Sequence, residues 1–339
     1  NIHYQYSVEI TSVMQAIFAA ATIKKTSKTI GYKSLSVLLY VANNHVNEET
    51  INISLSIFKK LKFLNKEALQ FYDMRIKKIN FSCDIAIVRT RLNKNNYNYW
   101  NYSRNFFMKI GNCQLLKNIL KDLKCNQLIG IDDGLDNWKI VKRNKNFIYL
   151  NISKILRGDA RLKFFMKNFD KKEGVSIFSI LGKKKFNIQN EFKYLIEELS
   201  ILHPKNQLVE NLFIVAWPSM NRESKSSTWQ KQMEILVKHL DKIRWNPSNK
   251  IYFKRHPKVM KSELISNNNY KFEYLPFDNG LPVELMISRM NNLKVVFSFQ
   301  NTTAYLIKSN QINCSAQLEI IKSDEPGFYK EHSETFDKI

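Results

Sequence analysis

The chain has 339 residues, 44% of them hydrophobic, which is ordinary globular material and enough for two compact domains with a core each. Lysine and arginine number 53 against 30 acidic residues, a net charge of +23 that exceeds what solubility requires, although a composition heavy in Lys, Asn and Ile accounts for part of the excess. Such a charge implies an acidic partner: nucleic acid, an anionic membrane face, a nucleotide-sugar or an acidic polysaccharide.

Cys83, Cys113, Cys125 and Cys314 form no CxxC pair and have no histidine at ligand spacing, so neither a zinc site nor a disulfide scaffold is suggested and a reduced, cytoplasmic chain is the simplest expectation. The apolar run VMQAIFAAATI from Val13 is too short to span a bilayer and follows no basic segment, so no secretion signal is expected.

In chain order, helix-period segments alternate with apolar runs suited to buried strands, the α/β signature. The first helical pattern is SVMQAIFAAATIKK (12–25), followed by the strand candidate SLSVLLYVA (34–42) and then DIAIVR (84–89). CQLLKNILKDLK (113–124) reads as a helix, and QLIGI (127–131) and NFIYL (146–150) as strands. The second half repeats the plan with LFIVAW (212–217), a helix over 229–243, KIYFK (250–254) and LKVVFS (293–298). The expected architecture is two doubly wound units, 1–205 and 206–339, with the polar stretch 203–211 as the crossing. Ligands of such sheets bind outside the carboxyl ends of the strands.

Three strand ends carry candidate chemistry. After QLIGI come Asp132, Asp133 and Gly134, where glycine permits a sharp turn close to a ligand and one carboxylate can face it while the other caps the turn. Taken in isolation, a turn of this kind reads first as a plain strand closure. After KIYFK come Lys254, Arg255, His256 and Pro257: a histidine able to donate a proton to a departing phosphate, with two cations to hold its charge. The second His-Pro pair, His203-Pro204, follows the helical stretch EFKYLIEELSIL and reads as a helix stop and loop. After LKVVFS, Ser298, Asn301, Thr302 and Thr303 precede a helix, either as caps for its free N–H groups or as a phosphate cradle. Glu284 follows Pro282 at another helix start, where it can accept both hydroxyls of a ribose or simply complement the helix dipole.

The order of these motifs resembles that of bacterial sialyltransferases, especially those acting on capsular polysialic acid and lipooligosaccharide. In those families an acidic-acidic-Gly motif supplies the base, a His-Pro motif handles the donor phosphate, and a Ser-Ser or Ser-Thr pair binds the nucleotide phosphate. The stretch TSVMQA (11–16), with Ser12 and Gln15, is similar to their first strand-to-helix loop. The resemblance runs from about Thr11 to Leu306 through short motifs only. Thr302-Thr303 stands where the families usually carry Ser first, and Val13 where they carry Pro.

The resemblance implies a GT-B architecture, two Rossmann-like domains facing a central cleft, with the donor CMP-sialic acid held mainly by the second. It implies inversion without a metal or any cofactor: Asp132 or Asp133, with a preference for Asp133, as base, and His256 as leaving-group acid. Lys254, Arg255 and the 298–303 turn would assist. The partners implied are the CMP-sugar donor and an anionic glycan acceptor, with the basic surface touching an inner-membrane face from the cytoplasm. Transferases using CMP-Kdo, CMP-pseudaminate or CMP-legionaminate fit the same residues. A nucleic-acid-binding protein, with bases stacked on the aromatic-basic stretch 95–109, fits less well, because no nucleic-acid motif is present and the charge is spread along the chain.

Overall fold

The structure, a computed structural model, describes residues 2–31, 35–42, 44, 46–77, 79–89, 124–131, 175–178, 187–203, 208–216, 225–255, 269–276, 280–322 and 336. These fall into two compact units, one ending at Leu195 and the other beginning at Ile196.

The first unit opens with β1 (Ile2–Glu9), which leads into α1 (Val13–Ile30) and β2 (Val37–Val41). Helix α2 (Glu48–Lys60), a 3-10 turn at Lys66–Ala68, β3 (Leu69–Asp73) and β4 (Phe81–Arg89) follow. β5 (Cys125–Ile131), β6 (Val175–Phe178) and the start of α3 (Gln189–Leu199) complete it. Its sheet has the order β3-β2-β1-β4-β5-β6, and every pairing is parallel. The order reverses between β1 and β4, so the carboxyl ends of those two strands define this unit's ligand crevice.

Local signals set the helix limits. Ser12 caps α1 by accepting a hydrogen bond from the Gln15 N–H at 3.3 Å, and Gly31 ends it at φ 74°, a left-handed conformation that glycine adopts without a steric cost. Asn47 caps α2 by accepting from the Thr50 N–H at 2.9 Å. Glu48 and Glu49 in the first turn of that helix and Lys59 and Lys60 in its last complement the dipole. Tyr6, Val8 and Ile10 are fully buried together with Ile17, Phe18 and Ile23 of α1. Phe18 meets Phe192 of α3 with ring centroids 5.2 Å apart.

The second unit contains a 3-10 turn at Ser200–Leu202, β7 (Asn211–Ile214), α4 (Lys225–Lys242), β8 (Ile251–Lys254) and β9 (Phe272–Tyr274). A short α5 (Val283–Ile287), β10 (Val295–Phe299), α6 (Thr302–Lys308) and β11 (Gln317–Ile321) follow. The strand order β11-β10-β7-β8-β9 is again wholly parallel. It reverses between β7 and β10. Phe213, Phe253, Phe297 and Phe299, none of them exposed, fill the centre. Phe213 lies 5.5 Å from Phe253 and 6.0 Å from Phe299, edge to face. Each such ring contributes roughly 1.5–3 kcal/mol by leaving water, so this aromatic cluster fixes the strand ends that follow it.

The α/β class expected from the sequence is therefore what the chain adopts: two Rossmann-type parallel sheets in one chain, the composition of a GT-B fold. The strand expected at 146–150 and the helix expected at 113–124 lie outside the described residues, apart from Lys124. No helix among the described residues is long and apolar enough to cross a membrane.

Candidate functional site

The candidate residues of the second unit collect where the fold rule places a ligand, at the carboxyl ends of β8 and β10 on either side of β7. Lys254 is the last residue of β8 and is only 3% exposed. Its carbonyl accepts the Val215 N–H at 3.0 Å, and its ammonium donates to the Arg255 carbonyl at 3.4 Å. Arg255 is half-buried and its guanidinium sits 6.0 Å from the centre of the Tyr274 ring, within cation–π range.

Glu284 lies in α5, fully buried, and its Oε1 accepts a 2.6 Å hydrogen bond from the Thr303 hydroxyl of α6. Burial pushes its carboxyl above the usual carboxylate range, while the Thr303 bond, its own backbone N–H and the charge of Lys254 oppose the shift. A hydrogen bond between two helix starts ties α5 to α6. The Ser298 hydroxyl is within hydrogen-bond reach of the Phe299 carbonyl at 3.1 Å and of Asn301 Oδ1 at 3.2 Å. The same Asn301 oxygen accepts the Ala304 N–H at 2.9 Å and so caps α6. Ser298, Asn301 and Thr303 thus use their side chains to shape this turn, and Thr302 stands half-buried at the helix start.

In the first unit Ser12 serves as the cap already described, and Gln15 is 4% exposed in the first turn of α1. Asp132, Asp133, Gly134, His256 and Pro257 lie outside the described residues. β5 ends at Ile131, directly before the acidic pair, and β8 ends at Lys254, two residues before His256.

Sequence reading passed over several polar residues that the fold brings to these ends. Glu9, the last residue of β1, is 7% exposed beside the first unit's strand-order reversal. Gln232 of α4 clamps the chain after β7: its Oε1 accepts the Ala216 N–H at 2.9 Å and its Nε2 donates to the Ala216 carbonyl at 3.0 Å. A glutamine within an amphipathic helix gives no hint of this in sequence. Gln300 is 4% exposed between Phe299 and Asn301, and its Nε2 meets no hydrogen-bond partner among the described residues.

His203 does terminate the 3-10 turn that follows α3, donating its N–H to the Ser200 carbonyl at 3.0 Å. Its ring is fully buried. Burial holds its imidazole below the ordinary value, and the charges of Arg289 and Lys254 press the same way. His239 of α4 is lowered by burial too, against the opposing effect of Glu319.

These directions set a pH dependence. An unfolded histidine takes up a proton near pH 6.5. Below that value the unfolded chain binds protons that the folded chain refuses, so stability is lost as pH falls toward the lowered folded value. The melting temperature should decline between pH 7.5 and pH 5, and the decline should be shallower in His203→Gln. An identical pH slope in that variant would show that His203 contributes nothing to the loss.

No group of three or more His, Cys, Asp or Glu suited to a metal ion occurs among the described residues. No family model and no curated protein matches the chain. Among solved structures, a protein assigned as a UDP-N-acetylglucosamine 2-epimerase from Listeria monocytogenes is similar with a TM-score of 0.40 at 11% identity, over 88% of this chain and 74% of that one. A sialyltransferase from Photobacterium damsela is similar with a TM-score of 0.36 at 12% identity, over 95% of this chain and 75% of that one. Likenesses this distant say nothing about the reaction.

Proposed function

We propose that the chain is an inverting, metal-independent glycosyltransferase of the GT-B type that moves sialic acid from CMP-sialic acid to a hydroxyl of an anionic cell-surface glycan. The observation that carries this reading is the grouping of Lys254, Glu284, Ser298, Asn301 and Thr303 at the carboxyl ends of β8 and β10. A cation beside a carboxylate at the edge of a Rossmann-type sheet suits a nucleotide, whose phosphate needs the one and whose ribose hydroxyls need the other.

In this reading Glu284, held in place by Thr303, accepts the ribose hydroxyls, while Lys254, Arg255 and Thr302 face the phosphate. Ser298 and Asn301 keep the turn in shape. One carboxylate of Asp132 and Asp133 removes the proton of the acceptor hydroxyl as it attacks the anomeric carbon. His256 protonates the departing CMP phosphate. A single displacement turns the beta-linked donor into an alpha-linked product. The excess of basic residues steers the carboxylate-bearing donor and acceptor and holds the protein at an anionic inner-membrane face.

CMP should raise the melting temperature, because a ligand that binds only the folded chain stabilises it by mass action, by about 2.7 kcal/mol at a hundredfold excess over its Kd. UMP and GDP should give smaller shifts. Equal shifts with all three would contradict a cytidine-specific pocket. Excess EDTA should leave transfer intact, and activity that is lost with EDTA and restored by Mg²⁺ or Mn²⁺ would contradict the metal-free step.

A further inference from the structure

Two of the cysteines are brought side by side by the register of the first sheet, far apart though they are in sequence. Cys83 of β4 and Cys125 of β5 are direct partners across the parallel pairing, and the Cys83 N–H donates to the Lys124 carbonyl at 3.0 Å. Neighbouring strands run about 4.8 Å apart, inside the Cα separation of about 4.4–6.8 Å that a disulfide requires. Paired residues on parallel strands also project to the same face of the sheet. Both thiols are free and buried, Cys83 at 1% and Cys125 at 8% exposure. The Ser7 hydroxyl lies 3.2 Å from the Cys83 sulfur.

We infer that Cys83 and Cys125 form a dithiol site that a low-molecular-weight disulfide oxidises to an intramolecular disulfide joining β4 to β5. Cys83 is the first nucleophile, because the Ser7 hydroxyl, 3.2 Å from its sulfur, is placed to donate a hydrogen bond to the thiolate. The Cys83 thiolate attacks the small disulfide, forming a mixed disulfide and releasing one thiolate. Cys125 then attacks the Cys83 sulfur, expels the second small thiolate and gives up its proton to it. Two protein thiols and one small disulfide become one protein disulfide and two small thiols. The bond closes the whole stretch between the strands into a loop and anchors the start of β5, the strand that runs up to Asp132. The site stands apart from the proposed transfer reaction and does not depend on it.

The test uses the full chain equilibrated with 2-hydroxyethyl disulfide, then alkylated, digested and read by mass spectrometry. A Cys83–Cys125 linked peptide is expected, with a melting temperature about 5–10 °C above that of the reduced protein, the scale of a long-loop cross-link in a unit of this size. Dithiothreitol should reverse both changes. Cys83→Ser and, separately, Cys125→Ala should show neither, so that one poorly folding variant does not decide the matter. Adducts confined to Cys314, mixed disulfides that never resolve, linkage to a different cysteine, or both thiols still alkylatable at equilibrium would each overturn the inference.

Discussion

Replacing Asp132 and Asp133 singly by Asn should abolish transfer in one variant and mainly lower stability in the other, with CMP binding preserved in both. Asn keeps the shape of the side chain and removes its basicity, so the substitution isolates proton removal from packing. A general base contributes about 10²–10⁴-fold and must lie within hydrogen-bond reach of the acceptor hydroxyl. Neighbouring residues leaving a strand point in different directions and cannot both reach it. The preference between them rests on sequence position: Asp132 directly follows Ile131, the last residue of β5, whereas Asp133 directly precedes Gly134. The larger loss is expected for Asp133→Asn, read as initial rates of CMP release with saturating acceptor. Near wild-type rates in both variants would remove the base from the mechanism.

His256→Ala should lower turnover by about a hundredfold or more, the usual scale for a general acid. Its effect should shrink with a donor whose leaving group departs without a proton, which a loss of packing would not do. His203→Gln is the matched control. His203 is buried and feels the charge of Lys254, so the alanine variant would confound activity with a cavity cost of about 1–3 kcal/mol. A glutamine of similar reach should retain most of the turnover while changing the pH dependence of stability. Equal losses at both positions would mean that the strand-end histidine has no special role.

The strands that sequence revealed are those with continuous apolar runs: β2 with VLLYV, β4 with its AIV core, β5 with LIGI, β7, β8 and β10. These are flanked on both sides in their sheets, where every face is covered and periodicity disappears into plain hydrophobicity. β1 has no such continuous run: His3, Gln5, Ser7 and Glu9 alternate with Tyr4, Tyr6 and Val8, the pattern of a strand with one wet face. Yet Ser7 and Glu9 are buried at the centre of the first sheet. The edge strands β3, β9 and β11 are short and half-exposed, too weakly patterned to stand out. Helix α2 carries its buried Ile51, Ser54, Ile57 and Phe58 at helical spacing, but Asn52, Ser54 and Ser56 alternate there with apolar residues and diluted the signal.

The candidate site was legible as residue types and less so as roles. Pro282 and the hydroxyl-rich turn do mark the starts of α5 and α6. Which hydroxyls face a ligand was not legible, because a serine or threonine at such a turn can equally satisfy its own backbone or another side chain. Here Thr303 goes to Glu284 and Ser298 to Asn301. The burial of His203 was equally hidden, since a His-Pro pair after a helix looks the same in sequence whether water or packed side chains surround it.

The most direct measurement is CMP release by the purified chain supplied with CMP-sialic acid, CMP-Kdo, CMP-pseudaminate and CMP-legionaminate in parallel, with and without a sialylated glycan acceptor, the product anomer being read by NMR. Acceptor-dependent CMP release from CMP-sialic acid above the other donors, with an alpha-linked product, is the expected result. Release from none of the four donors with saturating acceptor, or a product that retains the beta configuration, would contradict an inverting sialyl transfer.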